Sequence, residues 1–274
     1  MSVDPLNNHT PDAGTPISGE SSFMEPLQLA GQIIMENGGE TYRAEETICR
    51  MGEGFGLRQV ESFAVPSGLF ISYRDQRGNL ETGVKRVHRQ ETNLTRVDEV
   101  NRISRQASLG QIAPAAAAEK LRHIARMHGT FSGALSILAA FTCAAGFAVI
   151  FGGYLWELLL GGFVAALVQC FALLAGKLRL HWMAVNIIGG LLTALLPNLA
   201  HMMIPGLLSE AVIAGALMPL VPGLAMTNAV QDTLRGDMVS GLSHGVQALL
   251  TACLIAGGAL LSPALMRLIQ GGGF

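Results

Sequence analysis

Charge is what this 274-residue chain lacks over its second half. From residue 128 onward the cations are Lys177, Arg179, Arg235 and Arg267, and the anions are Glu157, Glu210, Asp232 and Asp237. Residues 1–127 hold the other 14 of 18 Lys+Arg and 16 of 20 Asp+Glu. So long a stretch with so little charge reads as embedded in a lipid bilayer, and the charged half reads as water-facing. Cysteine is scarce too. Cys49, Cys143, Cys170 and Cys253 are scattered without a C-x-x-C spacing, which argues against a disulfide framework or zinc site and leaves core packing. The net charge of −2 comes with no basic run, so nucleic acid is not an expected partner. No P-loop, Ser/His/Asp set or metal-ligand cluster is present. Neither an enzyme nor a cofactor is expected, and any transport would draw on ion or substrate gradients rather than ATP. The opening MSVDPLNNHTPDAGTP has neither a basic run nor an apolar core. A cleaved signal is therefore not expected, and insertion should rely on the internal spans.

What is present divides in order. Residues 1–22 are rich in Pro, Gly, Ser, Asn and Asp without periodicity, and are expected as a disordered lead. Residues 23–110 read as a small α/β domain. Pro26 suits the first turn of a helix with Leu27, Ala30, Ile33 and Ile34 on one face, interrupted at Gly38-Gly39. A second helix over 41–52 should stop at Gly54/Gly56. Residues 59–65 and 69–74 and the run LETGVKRVHR have strand character, with a turn signal at 75–79. From Leu94 the recurrence of Val97, Val100 and Ile103 predicts an amphipathic helix. The alanine-rich residues 111–128 read as a helical connector to the bilayer.

Residues 129–264 divide into five expected spans, about 130–151, 154–175, 182–204, 207–226 and 241–262, followed by a tail at 265–274. Each approaches the roughly 20 residues that cross the hydrocarbon core. Lys120, Arg122 and Arg126 precede the first span, Lys177 and Arg179 lie between the second and third, and Arg235 lies between the fourth and fifth. The Lys/Arg rule therefore places the soluble domain in the cytoplasm and the C-terminus outside. The fold class expected is an α-helical integral membrane protein with five transmembrane helices, preceded by a small cytoplasmic α/β domain. Small residues at four-residue spacing, including Gly241/Gly245, permit close helix approach.

Polar residues inside the spans carry the functional reading, because a lipid-facing ionisable group is costly. Pro219 and Pro222-Gly223 must break the fourth span, and a broken helix is tolerated where it faces protein or a water-filled cavity. Thr227 and Asn228 follow the break. Asp237, Gly241, His244 and Ala248 then fall on one helical stripe, with Gln247 beside it. A structural alternative stands next to this: Asp232, Arg235 and Asp237 form a wetted turn, and His244 is a packing residue. Glu210 reads as interfacial. Asn186, Pro197 and Asn198 either interrupt the third span and line the same cavity, or Asn186 only bonds a neighbouring helix. In the soluble half, Glu40, Arg43 and Glu46 are spaced to pair along a helix.

The order GGETYRAEET, AVPSGLFIS, KRVHRQETNLTRVDEVNRIS resembles the soluble domain of the threonine/serine exporter family, and PLVPGLAMTNAVQDTLRGDMVSG resembles its membrane signature. The resemblance covers roughly residues 24–262. Because the chain shows five spans without a second hydrophobic domain, it is similar to the larger, YjjP-type subunit of the split form, as in a bacterial succinate exporter. The resemblance implies a small, separately encoded membrane partner subunit, a bacterial inner-membrane location, and export of a C4-dicarboxylate such as succinate or of threonine/serine. It marks Gly39, Thr41, Arg43, Glu45, Pro66, Ser67, Arg86 and Asn93 in the soluble half. In the membrane half it marks Pro222, Gly223, Thr227, Asp232, Gly236, Asp237 and Gly241. His244 stands where a basic Arg is expected in many relatives. A higher oligomer is compatible with these expectations. The competing reading is a membrane-anchored ligand sensor, for which five spans with polar breaks are more than an anchor needs.

Overall fold

A computed structural model describes residues 23–88, 91–127 and 132–269. The lead at 1–22 and the last residues of the expected tail, 270–274, lie outside the described residues. The soluble unit contains helices α1 (Met24–Glu36) and α2 (Thr41–Gly54), strands β1 (Arg58–Val65), β2 (Gly68–Arg74) and β3 (Leu80–Arg86), and helices α3 (Leu94–Ser108) and α4 (Pro114–Arg126). The strands form an antiparallel meander in the order β1-β2-β3. Alternation decides its faces. Leu69, Ile71 and Tyr73 of β2 are fully buried, while Phe70 between them is 46% exposed and pairs with Phe63 and Val84.

The apolar stripe of α1 forms the centre of the core: Leu27, Ala30, Ile33 and Ile34 are all buried, as their spacing predicts. Ala44, Ile48 and Met51 of α2 and Val97, Val100 and Ile103 of α3 join the same cluster. The side chain of Asn93 caps α3, accepting from Arg96 N at 3.3 Å. The segment expected as a connector is more than that. Ala117, Leu121 and Ile124 of α4 are buried in the same core, so α4 is an integral layer of the soluble unit.

Four helices are long and apolar enough to cross a membrane: α5 (Gly133–Ile150), α6 (Leu155–Lys177), α7 (Trp182–Met203) and α10 (Met238–Ile269). Between α7 and α10 the chain runs through α8 (Ser209–Leu217), a 3-10 turn (Met218–Leu220) and α9 (Gly223–Leu234), with a 58° bend at the break. Here the expected fourth span needs correction. It continues to residue 234 as a second helical half, and the following turn shrinks to Arg235-Gly236-Asp237. The fifth span starts three residues earlier and ends seven later than expected, at 238 and 269 against 241 and 262. The third is a continuous helix that accommodates Pro197 rather than being interrupted by it.

Two contacts fix the ends of the bent pair. Buried Glu157, in the first turn of α6, accepts from Leu208 N at 3.0 Å and from Tyr154 N at 2.8 Å, tying the start of α8 to the end of the bundle away from the soluble unit. Asp232, in the last turn of α9, bonds to the soluble unit, as described below. The bent pair thus runs from one end of the bundle to the other, and the described residues hold four continuous candidate spans, or five if this broken pair is counted as one.

Helices α7 and α10 touch through glycine. A Cβ on Gly190 would stand 2.1 Å from the Ile255 carbonyl oxygen, and one on Gly258 would stand 2.0 Å from that of Ile187. Backbone cannot retreat as a side-chain tip can, so these positions admit no side chain without parting the helices. Gly257 has nothing within 4 Å of its would-be Cβ. Gly258→Ala should therefore lower the melting temperature of the purified protein, at an overpacking cost of about 1–3 kcal/mol or more. Gly257→Ala should match or exceed the wild type, since alanine favours helix. Equal melting of the two variants would refute this contact.

Candidate functional site

The site begins with two glycines. Gly38 has φ +87°, the left-handed region that favours glycine, and a Cβ there would lie 2.8 Å from Leu224 Cδ2. A Cβ on Gly39 would lie 2.4 Å from Ile34 Cγ2 and 2.9 Å from the Ile34 carbonyl oxygen. Only glycines let the chain reverse this tightly after α1 and press its backbone onto α9. The result is direct contact between the soluble motif and the broken span. Asn228 of α9, 5% exposed, donates from Nδ2 to the Gly38 carbonyl at 3.4 Å.

Thr41, the first residue of α2, is buried and places its hydroxyl between two carboxylates. Its Oγ1 is 3.0 Å from Asp232 Oδ1 and 3.3 Å from Asp237 Oδ2. One hydroxyl proton serves two acceptors, so the threonine clamps the end of α9 to the start of α10. Asp232 is 0% exposed, and its other oxygen, Oδ2, accepts from His244 Nδ1 at 2.9 Å. The ring donates across this contact when its proton sits on Nδ1. Asp237 also caps α10, accepting from Ser240 N at 3.1 Å, where the helix N-terminus favours negative charge. Arg235 in the turn lays its guanidinium over the Tyr42 ring, 3.5 Å from the centroid.

This corrects the expectation that Asp232 reaches water in a wetted turn. Asp232 lies inside the docked interface because α9 continues past the proline break and α2 covers its end. Arg235, Gly236 and Asp237 alone make the turn, and Arg235 is stacked rather than free. The expected stripe is met in part: His244 and Asp237 share the Thr41–Asp232 cluster, while Gly241 serves packing, its would-be Cβ 2.2 Å from Thr233 Oγ1.

Beside the cluster is a cavity of about 280 Å³ whose wall includes Gly38, Gly39, Glu91, Asn228, His244 and Gln247. Pro222, Gly223, Leu224 and Ala225 also line it, so the first turn of α9 opens into this space. The first amides of a helix have no partner within it, and they favour an anionic group. Among the described residues, no Lys or Arg lines this cavity. A second cavity of about 940 Å³ lies between the β1–β2 turn and helices α7 and α10; Pro66, Ser67 and Asn186 belong there, not to the first.

The remaining predicted residues separate. Glu45 accepts from Ala64 N at 2.7 Å, holding α2 to β1, and burial pushes its carboxyl above the ordinary range, with the negative charges of Asp237 and Asp232 adding to the push. Arg43 pairs with Glu40 at 3.2 Å, as its spacing predicts, while Glu46 pairs with Arg50. Arg86 ends β3 on an exposed surface, and Asn93 is a helix cap. Thr227 bonds back to the Gly223 carbonyl at 3.0 Å. Asn198 bonds Ser262 at 3.2 Å, joining α7 to α10 away from either cavity. Sequence reasoning did not select Gly38, Tyr42, Glu91 or Gln247 as site residues. Gly38 had a signal in the Gly-Gly pair; Tyr42 had none.

The fold and site define a multi-pass helical membrane protein whose soluble unit docks on a broken span beside a small polar cavity. The particular family follows from comparison: the family model for threonine/serine exporters (ThrE) matches residues 27–266, and the chain belongs to that family. Comparison with curated proteins and with solved structures yields no match.

Thr41→Val removes the shared hydroxyl and leaves a buried carboxylate short of one donor, a loss of about 1–3 kcal/mol. Amide hydrogen exchange should quicken over residues 38–45 and 228–240 while α7 and α10 keep their protection. Unchanged exchange at both segments would show that the clamp does not hold the domains together. Glu45 gives a pH signature. Its folded pKa lies above the unfolded one, so the folded state holds the proton more tightly. Stability is then full at low pH and falls as pH rises from the ordinary carboxylate range through the raised value. Glu45→Gln should flatten this fall in melting temperature as pH rises above the ordinary carboxylate range.

Proposed function

We propose that this chain is one subunit of a secondary exporter that moves a small zwitterion of the threonine/serine type out of the cytoplasm. The observation that carries the reading is the charge pattern of the 280 Å³ cavity. The first turn of α9 suits one carboxylate, Glu91 suits one ammonium, and Asn228 offers hydrogen bonding for a hydroxyl. A C4-dicarboxylate would bring its second carboxylate beside Glu91, where no Lys or Arg among the described residues lines the cavity to balance it. Succinate remains the second reading because a protonated His244 would supply a further positive charge to this same space.

The Lys/Arg distribution supports a cytoplasmic soluble domain, and a broken fifth crossing then carries the C-terminus outside. The partner is a small separately encoded membrane subunit, which the five crossings of this chain leave room for. The soluble domain acts in transport rather than as a sensor, because it closes one side of the cavity with Gly38 and Gly39 and clamps the helices that form the other.

Efflux of labelled threonine and succinate from cells with this chain, the partner, both or neither decides among these readings. Threonine efflux only with both subunits is expected. Succinate efflux without threonine efflux would overturn the zwitterion assignment, and efflux with this chain alone would overturn the need for a partner. Asp232→Asn should reduce efflux at least tenfold, since it disturbs Thr41 and His244 together, whereas Asn198→Ala should leave it near wild type.

A further inference from the structure

Helix α10 carries a second polar feature that the exporter reading does not use. Ser243, Gln247 and Thr251 recur every four residues and face the 940 Å³ cavity together with Asn186 of α7. They lie on helices otherwise apolar enough to span a membrane. Neither Ser243 nor Gln247 makes a side-chain hydrogen bond among the described residues, and both are exposed. The stripe extends for roughly 12 Å at the rise of an α-helix. Neutral polar groups at that depth face water or protein more readily than hydrocarbon.

The cavity has a mouth and a shared wall. Pro66 and Ser67 of the β1–β2 turn and Trp182 at the start of α7 place its mouth at the soluble-domain end. Its lining on α10 ends at Leu250 and Thr251, and further along the two helices Gly190 and Gly258 bring α7 and α10 together. Gln247 lines both this cavity and the smaller one beside His244. Among the described lining residues there is one imidazole, His88, and no Asp, Glu, Lys or Arg.

We propose that the larger cavity is a water-filled vestibule that holds a small neutral or zwitterionic solute before it enters the smaller site, with Gln247 as the gate between them. A lining without formal charge binds by hydrogen bonding to amide and hydroxyl groups and gives a net-charged solute no counterion. The choice of solute rests on the exporter reading; the access of water does not.

Cysteine accessibility tests the vestibule in the full-length chain, co-expressed with its partner, in membrane vesicles. With Cys49, Cys143, Cys170 and Cys253 replaced by alanine, Ser243→Cys and Thr251→Cys should react with a membrane-impermeant maleimide added on the soluble-domain side. Leu260→Cys, at a position 75% exposed on the apolar surface, should react only with a lipid-soluble maleimide. Excess threonine should slow labelling of Ser243→Cys several-fold, and Gln247→Leu should reduce flux while leaving that labelling intact. Reaction of the stripe with the lipid-soluble reagent alone would make it a lipid face, and reaction with neither would make it a subunit contact; both overturn the vestibule. Labelling that neither threonine nor succinate slows would overturn solute binding there. Failure of the exporter reading itself would appear separately, as absence of efflux from the wild type, with the labelling pattern unaffected.

Discussion

The carboxylate of Asp232, wholly removed from solvent, is the group on which the arrangement of this protein depends. Burying an ionised carboxylate is costly unless its oxygens are satisfied. Here one oxygen takes the Thr41 hydroxyl and the other takes the His244 imidazole. Each donor comes from a different element, α2 in the soluble unit and α10 in the bundle. The cost of leaving Asp232 unpaired thus holds three elements in one geometry, and breaking a buried pair typically costs about 3–5 kcal/mol.

The proline break gives that clamp a purpose. A straight fourth span would put its backbone hydrogen bonds entirely within the helix and leave nothing to offer a solute. With the chain bent by 58° after the 3-10 turn, the first amides of α9 open into a cavity instead. Gly38 and Gly39 close the facing wall: a side chain on Gly38 would meet Leu224 of α9, and one on Gly39 would meet Ile34 of α1. The cavity wall and the domain docking therefore share Asn228, His244 and Gly38.

Rigidity and openness are distributed along the bundle. The glycine contact of α7 with α10 and the Glu157 clip at the far end are close-packed and fully bonded. At the soluble-domain end the same two helices part, and neutral side chains line the space. The pair is thus close-packed at one end and parted at the other.

By itself the sequence determined the classes of environment. Charge depletion marked the membrane half, the 3.6-residue recurrence at Leu27, Ala30, Ile33 and Ile34 marked a core helix, and Pro222-Gly223 marked the break. It also singled out Asp232, Asp237 and His244, because polar groups are conspicuous against an apolar background, while Thr41 was marked by the family resemblance. It left their use open: Asp232 read as a pathway residue or as part of a wetted turn, and Asn186 and Asn198 as lining the same cavity or, for Asn186, as bonding a neighbouring helix. Burial and partnership belong to pairs of residues rather than to single positions. Thr41 and Asp232 stand 191 positions apart, and only the tertiary fold brings a hydroxyl at the start of one helix to a carboxylate at the end of another. Local periodicity reports which face of an element avoids water, and the choice between water, lipid and a distant side chain is made when the elements pack.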